Sequence, residues 1–532
     1  MGTGETFDVI VVGGGPAGAA VASAVSVDPD GSVLLIERGP DWRVADAPPE
    51  LHARTLISYR GIPSLERFHS MDYLARKSAD HELGLYLGGQ GIGGSSLING
   101  GVVLRPPLDE YDRWAELGAS RWSGAMALDL WRRLEADADF GEAPAHGSAG
   151  PLSIERTPRE EWSALDRAFW DASLAAGYEE IHDLNGTDVD GIAPLPFGRR
   201  LGRRETANHV FVEPIRDRPN VRILGDTLVD RVLLDASGSR VTGVVAITDG
   251  RAERIAARRV VCAAGTIGTG GILLRSGIGP ASELAALGIG VNQDLPVGRS
   301  VQDHMQFMVS ADWTAPGDPD GLWQNWTSAA IRYSSGLCGA PSGDMLITPV
   351  GPFRGFGVEF RQSLSVWCLE VFSRGWLRLR SPDPTVWPDV CIGMYGDERD
   401  LIRMRDGVRR LAALLDSPAF DALRGAQRYG GSMGDALVDV EDDAAVDAML
   451  RAATDLQVHV SGCAPMGLPG GETAVVDEDA RVIGVEGLWV SDLSICPKVS
   501  RANTWGTAML IGEFVGDSIV SDLGGARTLS AV

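Results

Sequence analysis

Gly13, Gly15 and Gly18 spell GxGxxG directly after the apolar run Val9–Val12, and Glu37 stands about 20 residues further on. These residue types at this spacing can hold a dinucleotide. The first glycine permits a tight turn, the second lets a pyrophosphate approach the backbone, and the third lets helix and strand pack closely. Pro16 and Ala17 open the helix, whose N-terminal N–H groups and positive dipole end face the phosphates. Glu37 can accept hydrogen bonds from ribose hydroxyls, with Arg38 beside it. The acid disfavours a 2′-phosphate and therefore NADP, while NAD stays compatible with this unit alone.

The elements that must position these residues are legible around them. Phe7–Val12 is a strand, Ala17–Val27 a helix of small residues, and Val33–Glu37 a second strand. Asp41–Lys77 is irregular and proline-bearing, and a glycine-rich loop follows at Gly88–Gly101. Asp109–Phe140 has helical spacing, His146–Leu152 is a turn-rich hinge, and Glu161–Gly177 predicts another helix. Val221–Ile247 alternates about Ser237-Gly238 and predicts strands joined by a tight turn. Arg259–Ala264 is a short buried strand. Gly484–Ile495 is strand-like, and Thr507–Val520 predicts a closing helix. Between about 310 and 455 tryptophans cluster (Trp313, Trp323, Trp326, Trp367, Trp376, Trp387), and this stretch is read as a second domain.

The composition excludes several function classes. Acidic residues outnumber basic ones by 72 to 48, for a formal charge of −24. That argues against a nucleic-acid partner and against docking on anionic membranes. The six scattered cysteines form no CxxC pair, so no metal site is expected. No apolar run is long enough to cross a bilayer, and no basic, apolar leader precedes the first strand. The expected location is the cytoplasm, with reduced cysteines. Only eight histidines are present, and a lone histidine is more often structural than catalytic.

Beyond the first forty residues the chain resembles the glucose–methanol–choline (GMC) oxidoreductases along nearly its whole length. Gly93-Gly94-Ser95-Ser96-Leu97-Ile98-Asn99 resembles the family's GGSSxxN loop, with Gly100 next to it. Arg105 and Tyr111-Asp112-Arg113-Trp114 follow at the family spacing, and His146 to Leu152 matches its HGxxGPL turn. Ala264 and Gly265 lead into a second signature that ends at Ser276-Gly277-Ile278-Gly279-Pro280. Pro296-Val297-Gly298 and Gln302-Asp303-His304 close the first half, where His304 reads as architectural, as does His146. His459 lies in a segment similar to HxxGTxxxG, and Asn503 in Ala502-Asn503-Thr504.

The resemblance implies an α/β fold, with a Rossmann-like FAD-binding domain and a second α+β substrate-binding domain built on an antiparallel sheet. Residues 1–160, 206–310 and 456–532 are expected in the discontinuous FAD domain, and 161–205 with 311–455 in the substrate domain. It implies FAD, with Val229 contacting the adenine and Asp492, Asn503 and Thr504 near the isoalloxazine. Leu97 stands where some members carry a flavin-linked histidine, so FAD is expected to be non-covalent. His459 is implied as the base and Asn503 as the group that holds the substrate oxygen during oxidation of a small-molecule alcohol, with O2 or another electron acceptor.

The bacterial 5-(hydroxymethyl)furfural oxidase branch is the most similar. It implies a pocket lined by Trp367 and by Val458, which replaces a bulky aromatic. Plain sheet packing is the bland reading of Trp367. Three positions depart from the family pattern: Gln90 for arginine, Gly270 for proline or serine, and Cys463 for threonine. Oxidation passing electrons to a quinone or protein, a lyase with a non-redox flavin, and a natural-product oxidase are the alternatives.

Overall fold

Val9 to Val12 are buried on both faces of their strand, which is why the sequence there runs apolar without alternation. In the computed structural model the described residues are 5–54, 64–70, 73–186, 190–310, 326–351, 353–355, 358–360, 362–423 and 438–524. Trp313 and Trp323 lie outside them. Strand Thr6–Val12 pairs in parallel with Val33–Ile36 on one side and Arg251–Cys262 on the other. The sheet runs Val221–Leu224, Val33–Ile36, Thr6–Val12, Arg251–Cys262, Val241–Thr248, Thr227–Leu234. Leu488–Val490 joins it in parallel beside Val260–Cys262. Segments from both ends of the chain therefore build one Rossmann-like sheet.

Helix Pro16–Val25 is buried along almost its whole length because the closing helix Thr504–Asp522 lies against it. Small residues permit that contact. A Cβ on Gly512 would sit 2.4 Å from the Ala17 carbonyl oxygen, and one on Gly516 would sit 2.5 Å from Ala24 Cβ. The second sheet has six strands, all antiparallel, in the order Asp455–Leu456, Met305–Ser310, Ser363–Cys368, Met345–Val350, Ala329–Tyr333, Gly191–Pro194. Helix Glu398–Leu415 packs on it, with Gly407 against Val366. Among the described residues no helix is long and apolar enough to cross a membrane.

Several elements differ from their sequence patterns. The strand ending at Cys262 begins at Arg251, because its first residues are exposed and charged and carry no apolar signal. The helical stretch after Asp109 is two helices, Asp109–Glu116 and Gly124–Leu134, parted by Gly118 at φ +105°. It then ends in a short strand, Glu135–Asp137. The helix expected at Glu161–Gly177 is Ala164–Ala175, started by a capping box between Ser163 and Asp166. Only Leu488–Val490 of the stretch Gly484–Ile495 is strand.

Gly512→Val should destabilise the protein by about 1–3 kcal/mol, since the added methyls must displace the first helix. Thermal unfolding checks this, and an unchanged Tm would refute the close approach.

Candidate active site

The glycine turn is shaped by what cannot fit in it. A Cβ on Gly13, at φ +105°, would lie 2.3 Å from the Ala263 carbonyl oxygen, and one on Gly18 would lie 2.0 Å from the Gly13 oxygen. Gly15, the N-cap of helix Pro16–Val25, is different, because a Cβ there would meet only Gly94 Cα, at 3.9 Å. Its open side is the cradle expected for a pyrophosphate. The loop at Gly93 closes over this turn, with the Gly93 N–H donating to the Gly14 oxygen at 2.8 Å. Gly94 approaches Gly15 so closely that a Cβ would meet its Cα at 2.6 Å.

Glu37 is buried and accepts three backbone N–H bonds: Gly14 at 2.7 Å on Oε2, and Gly39 at 2.8 Å and Gly91 at 3.0 Å on Oε1. A carboxylate has roughly four lone-pair sites, so one remains on Oε2 for a sugar hydroxyl. Arg38 turns elsewhere. Its guanidinium donates to Ser70 and Gln90 and lies over the Tyr73 and Trp387 rings. That explains Gln90, since an arginine there would face Arg38 with like charge. The other two departures meet each other, because a Cβ on Gly270 would lie 3.2 Å from Cys463 Sγ. The Cys463 thiol donates to the Thr266 carbonyl at 3.2 Å.

The remaining residues expected at a cofactor are distributed around this turn. The Ser95 hydroxyl accepts from the Gly89 N–H at 3.1 Å. Asn99 Oδ1 accepts from Gly101 N–H and from buried Arg204, and Gly100 lies under the Trp326 ring. Leu97 is fully buried. Val229 is in edge strand Thr227–Leu234, beside the register break before Arg231, and Thr227 N–H donates to the Glu37 carbonyl. Ala264 and Gly265 open the helix Gly265–Arg275. Asp492 spends its carboxylate inside the protein, on Thr269 Oγ1 at 2.6 Å and Ser494 N–H at 2.8 Å. Burial raises its pKa. Thr504 is the first residue of the closing helix and Asn503 its N-cap. The Asn503 side chain caps nothing and, among the described residues, bonds to nothing, so its amide is available to a ligand.

His459 follows Val458, a β-branched residue at φ +54° and 44% exposed. Such a backbone costs about 1–3 kcal/mol and persists only where surroundings enforce it. The enforcer is buried Asp303, whose Oδ1 accepts the His459 backbone N–H at 2.9 Å and whose Oδ2 accepts the Tyr86 hydroxyl at 2.8 Å. Tyr86 in turn accepts the Val460 N–H at 2.9 Å. Burial pushes the Asp303 pKa up to about 7, against the pull of the N–H and O–H groups around it. Burial and the neighbouring His304 hold His459 well below the ordinary histidine value. The residue as a whole is half-buried. Trp367 lies 6.2 Å from it, tilted 31°, with its indole N–H on Ser365.

Sequence reasoning missed three of these residues. His304, read as architectural, places Nδ1 2.9 Å from His459 Nδ1. Its Nε2 lies 2.9 Å from the Ser500 carbonyl oxygen, three residues before Asn503. The motif Gln302-Asp303-His304 was the available signal for two of them, while Tyr86 carried none. His146 does stay architectural. Burial alone would lower its pKa, but Asp183 and Glu135 raise it to about 9. Glu135, Asp137 and His146 have metal-like spacing. Arg105 and Arg156 already pair with those carboxylates, which makes the cluster a buried ion-pair network.

GMC oxidoreductase family models match residues 7–306 and 371–512. A 5-(hydroxymethyl)furfural oxidase of Methylovorus sp. (strain MP688) is 34% identical, over 98% of this chain and 99% of that protein. An oxygen-dependent choline dehydrogenase of Pseudomonas entomophila (strain L48) is 31% identical, over 97% of this chain and 94% of its own. Among solved structures, pyridoxine 4-oxidase from "Mesorbium loti" has a TM-score of 0.84 at 24% identity, covering 96% of this chain and 98% of its own. A fungal aryl-alcohol oxidase has a TM-score of 0.81 at 22% identity, covering 98% and 99%. These two show the likeness of fold.

Glu37→Ala would strand three buried N–H groups, each worth about 1–3 kcal/mol. FAD affinity should fall at least about 10-fold, read from the flavin absorbance of purified protein and from a reloading titration. Wild-type flavin content would refute the role of Glu37.

Proposed function

The chain belongs to the GMC oxidoreductase family, and on that premise we propose that it binds FAD non-covalently and oxidises a primary or secondary alcohol to the carbonyl. The substrate class is an aromatic, furanic or natural-product alcohol, and the acceptor is O2. The observation that carries the reading is the pairing of a neutral, half-buried His459 with an unbonded Asn503 amide on elements that His304 and Ser500 link. Gly13, Gly15, Gly18, Gly93, Gly94 and Glu37 would hold the dinucleotide, and Leu97 offers no atom for a covalent link. Trp367 beside His459 supports a flat substrate, and exposed Val458 leaves room in the pocket. Six unpaired cysteines suit a reducing compartment such as the cytoplasm.

Bound FAD would supply the acceptor, at flavin N5, for the hydride that leaves the α-carbon. His459 takes the hydroxyl proton on Nε2, the ring nitrogen that His304 leaves free. Asn503 holds the substrate oxygen by its amide N–H and orients the α-carbon. Asp303 and Tyr86 hold the His459 backbone beside strained Val458, so the ring needs no reorganisation to act.

A panel of alcohols under anaerobic conditions should bleach the flavin, and admitting air should restore it with release of peroxide. Bleaching without reoxidation by air would move the acceptor to a quinone or protein. No bleaching by any alcohol, furanic and aromatic ones included, would overturn the reading. His459→Ala should cost about 10²–10⁴-fold in kcat while FAD stays bound.

The pH profile has a definite sign. Burial disfavours protonated His459, so its base form persists to lower pH than that of an ordinary histidine. kcat/KM should show no His459 limb at about 6.5 and should fall only at more acid pH. A limb near 7 that disappears in Asp303→Asn belongs to Asp303. One near 6.5 that survives the substitution contradicts the burial argument.

A further inference from the structure

We infer that His304 is a positioning residue: it accepts a hydrogen bond from His459 Nδ1–H and thereby keeps the lone pair of His459 on Nε2. The consequence for catalysis rests on the alcohol-oxidation reading above, whereas the hydrogen-bond assignment does not.

The Ser500 carbonyl oxygen can only accept, and His304 Nε2 lies 2.9 Å away, so Nε2 carries a proton. His304 is fully buried, and that burial lowers its pKa to about 4 although the Ser500 and Leu369 carbonyls oppose it. At neutral pH the ring therefore holds one proton, already placed on Nε2. Its Nδ1 is a lone pair.

That lone pair faces His459 Nδ1 at 2.9 Å. Two lone pairs at this distance would repel, so the contact needs a proton from His459. Neutral His459 has one proton to give, and it sits on Nδ1. The reverse assignment would put the His304 proton on Nδ1 and aim a bare Nε2 at the Ser500 oxygen, acceptor against acceptor. The rings meet nearly edge to face, at 85°, with centroids 5.1 Å apart.

The charged groups nearby do not compete for the His459 ring. Asp303 spends Oδ1 on the His459 backbone N–H and Oδ2 on Tyr86. Glu370 pairs with Arg113 and Lys498. A carboxylate in the place of His304 would fix the same tautomer but would also stabilise the imidazolium. A neutral imidazole fixes the tautomer without adding a negative charge, so the proton taken by Nε2 is held less tightly than it would be beside a carboxylate.

The test uses holoenzyme labelled with 15N-histidine and correlates ring nitrogens with ring protons by NMR. The His459 signals are assigned by their loss in His459→Ala. The expected pattern is Nδ1–H with a bare Nε2 for His459, and Nε2–H for His304. His459 found with its proton on Nε2 overturns the inference, whether or not any alcohol is oxidised.

Kinetics supply the second arm. His304→Gln keeps an acceptor toward His459 and a donor toward Ser500, so kcat should stay within about 10-fold of wild type. His304→Phe removes both, and kcat should fall on the order of 10²-fold or more, with KM and FAD content little changed. Its His459 signals should report mixed tautomers. A Phe variant that holds FAD, turns over at the wild-type kcat and keeps a single Nδ1–H pattern overturns the inference. If that variant does not fold, the wild-type tautomer and the Gln variant decide.

Discussion

Direct contact of backbone with backbone around the Gly13–Gly18 turn is the constraint on which the rest depends. Three approaches converge there: Gly18 on the Gly13 carbonyl, Gly94 on Gly15, and Gly512 on Ala17. No side chain larger than hydrogen fits at any of them. Together they fix the first strand, the loop at Gly93 and the closing helix relative to one another. The closing helix begins at Thr504, so the same packing that shapes the cradle also places Asn503. The glycine cradle and Asn503 are thus joined by one packed unit.

The legibility of the fold followed the density of backbone constraints. The strand, turn and helix at the N-terminus were readable because a glycine turn leaves few alternatives. The exposed half of strand Arg251–Cys262 was not, since charged residues on a solvated edge carry no periodic signal. The break between Asp109–Glu116 and Gly124–Leu134 was hidden for a related reason. Trp114, Trp122 and Trp131 are all buried, and their apolar spacing continues across the turn at Gly118. At the chemical site, His459 and Asn503 were visible through family-like segments. Tyr86 was not, because a tyrosine whose role is to bond Asp303 across the fold leaves no trace in its local sequence.

The departures from the family pattern show the same dependence on tertiary contact. Taken singly, Gly270 and Cys463 look like two losses. In the fold they are neighbours, since the sulfur of Cys463, with the Leu377 side chain, crowds the space that a Cβ at 270 would enter. Gln90 reads as a lost charge until Arg38 is seen to donate to it at 2.8 Å. A substitution is interpretable only with its neighbour, and these neighbours are far apart in the chain.

Asp303 and His304 show how much one dipeptide can govern. These adjacent residues, just before strand Met305–Ser310, send their side chains to different parts of the same target. Asp303 grips the backbone N–H of His459, and His304 meets its ring. The first bond holds a β-branched residue at positive φ next door, which no local preference would sustain. The second restricts where the imidazole proton can sit. Backbone position and ring protonation are separate degrees of freedom, and a base must have both fixed to work without reorganising. Placing both restraints on adjacent residues, immediately before the strand Met305–Ser310, means that neither can shift without the other. His459 is therefore held at two points, its backbone N–H by Asp303 and its ring by His304.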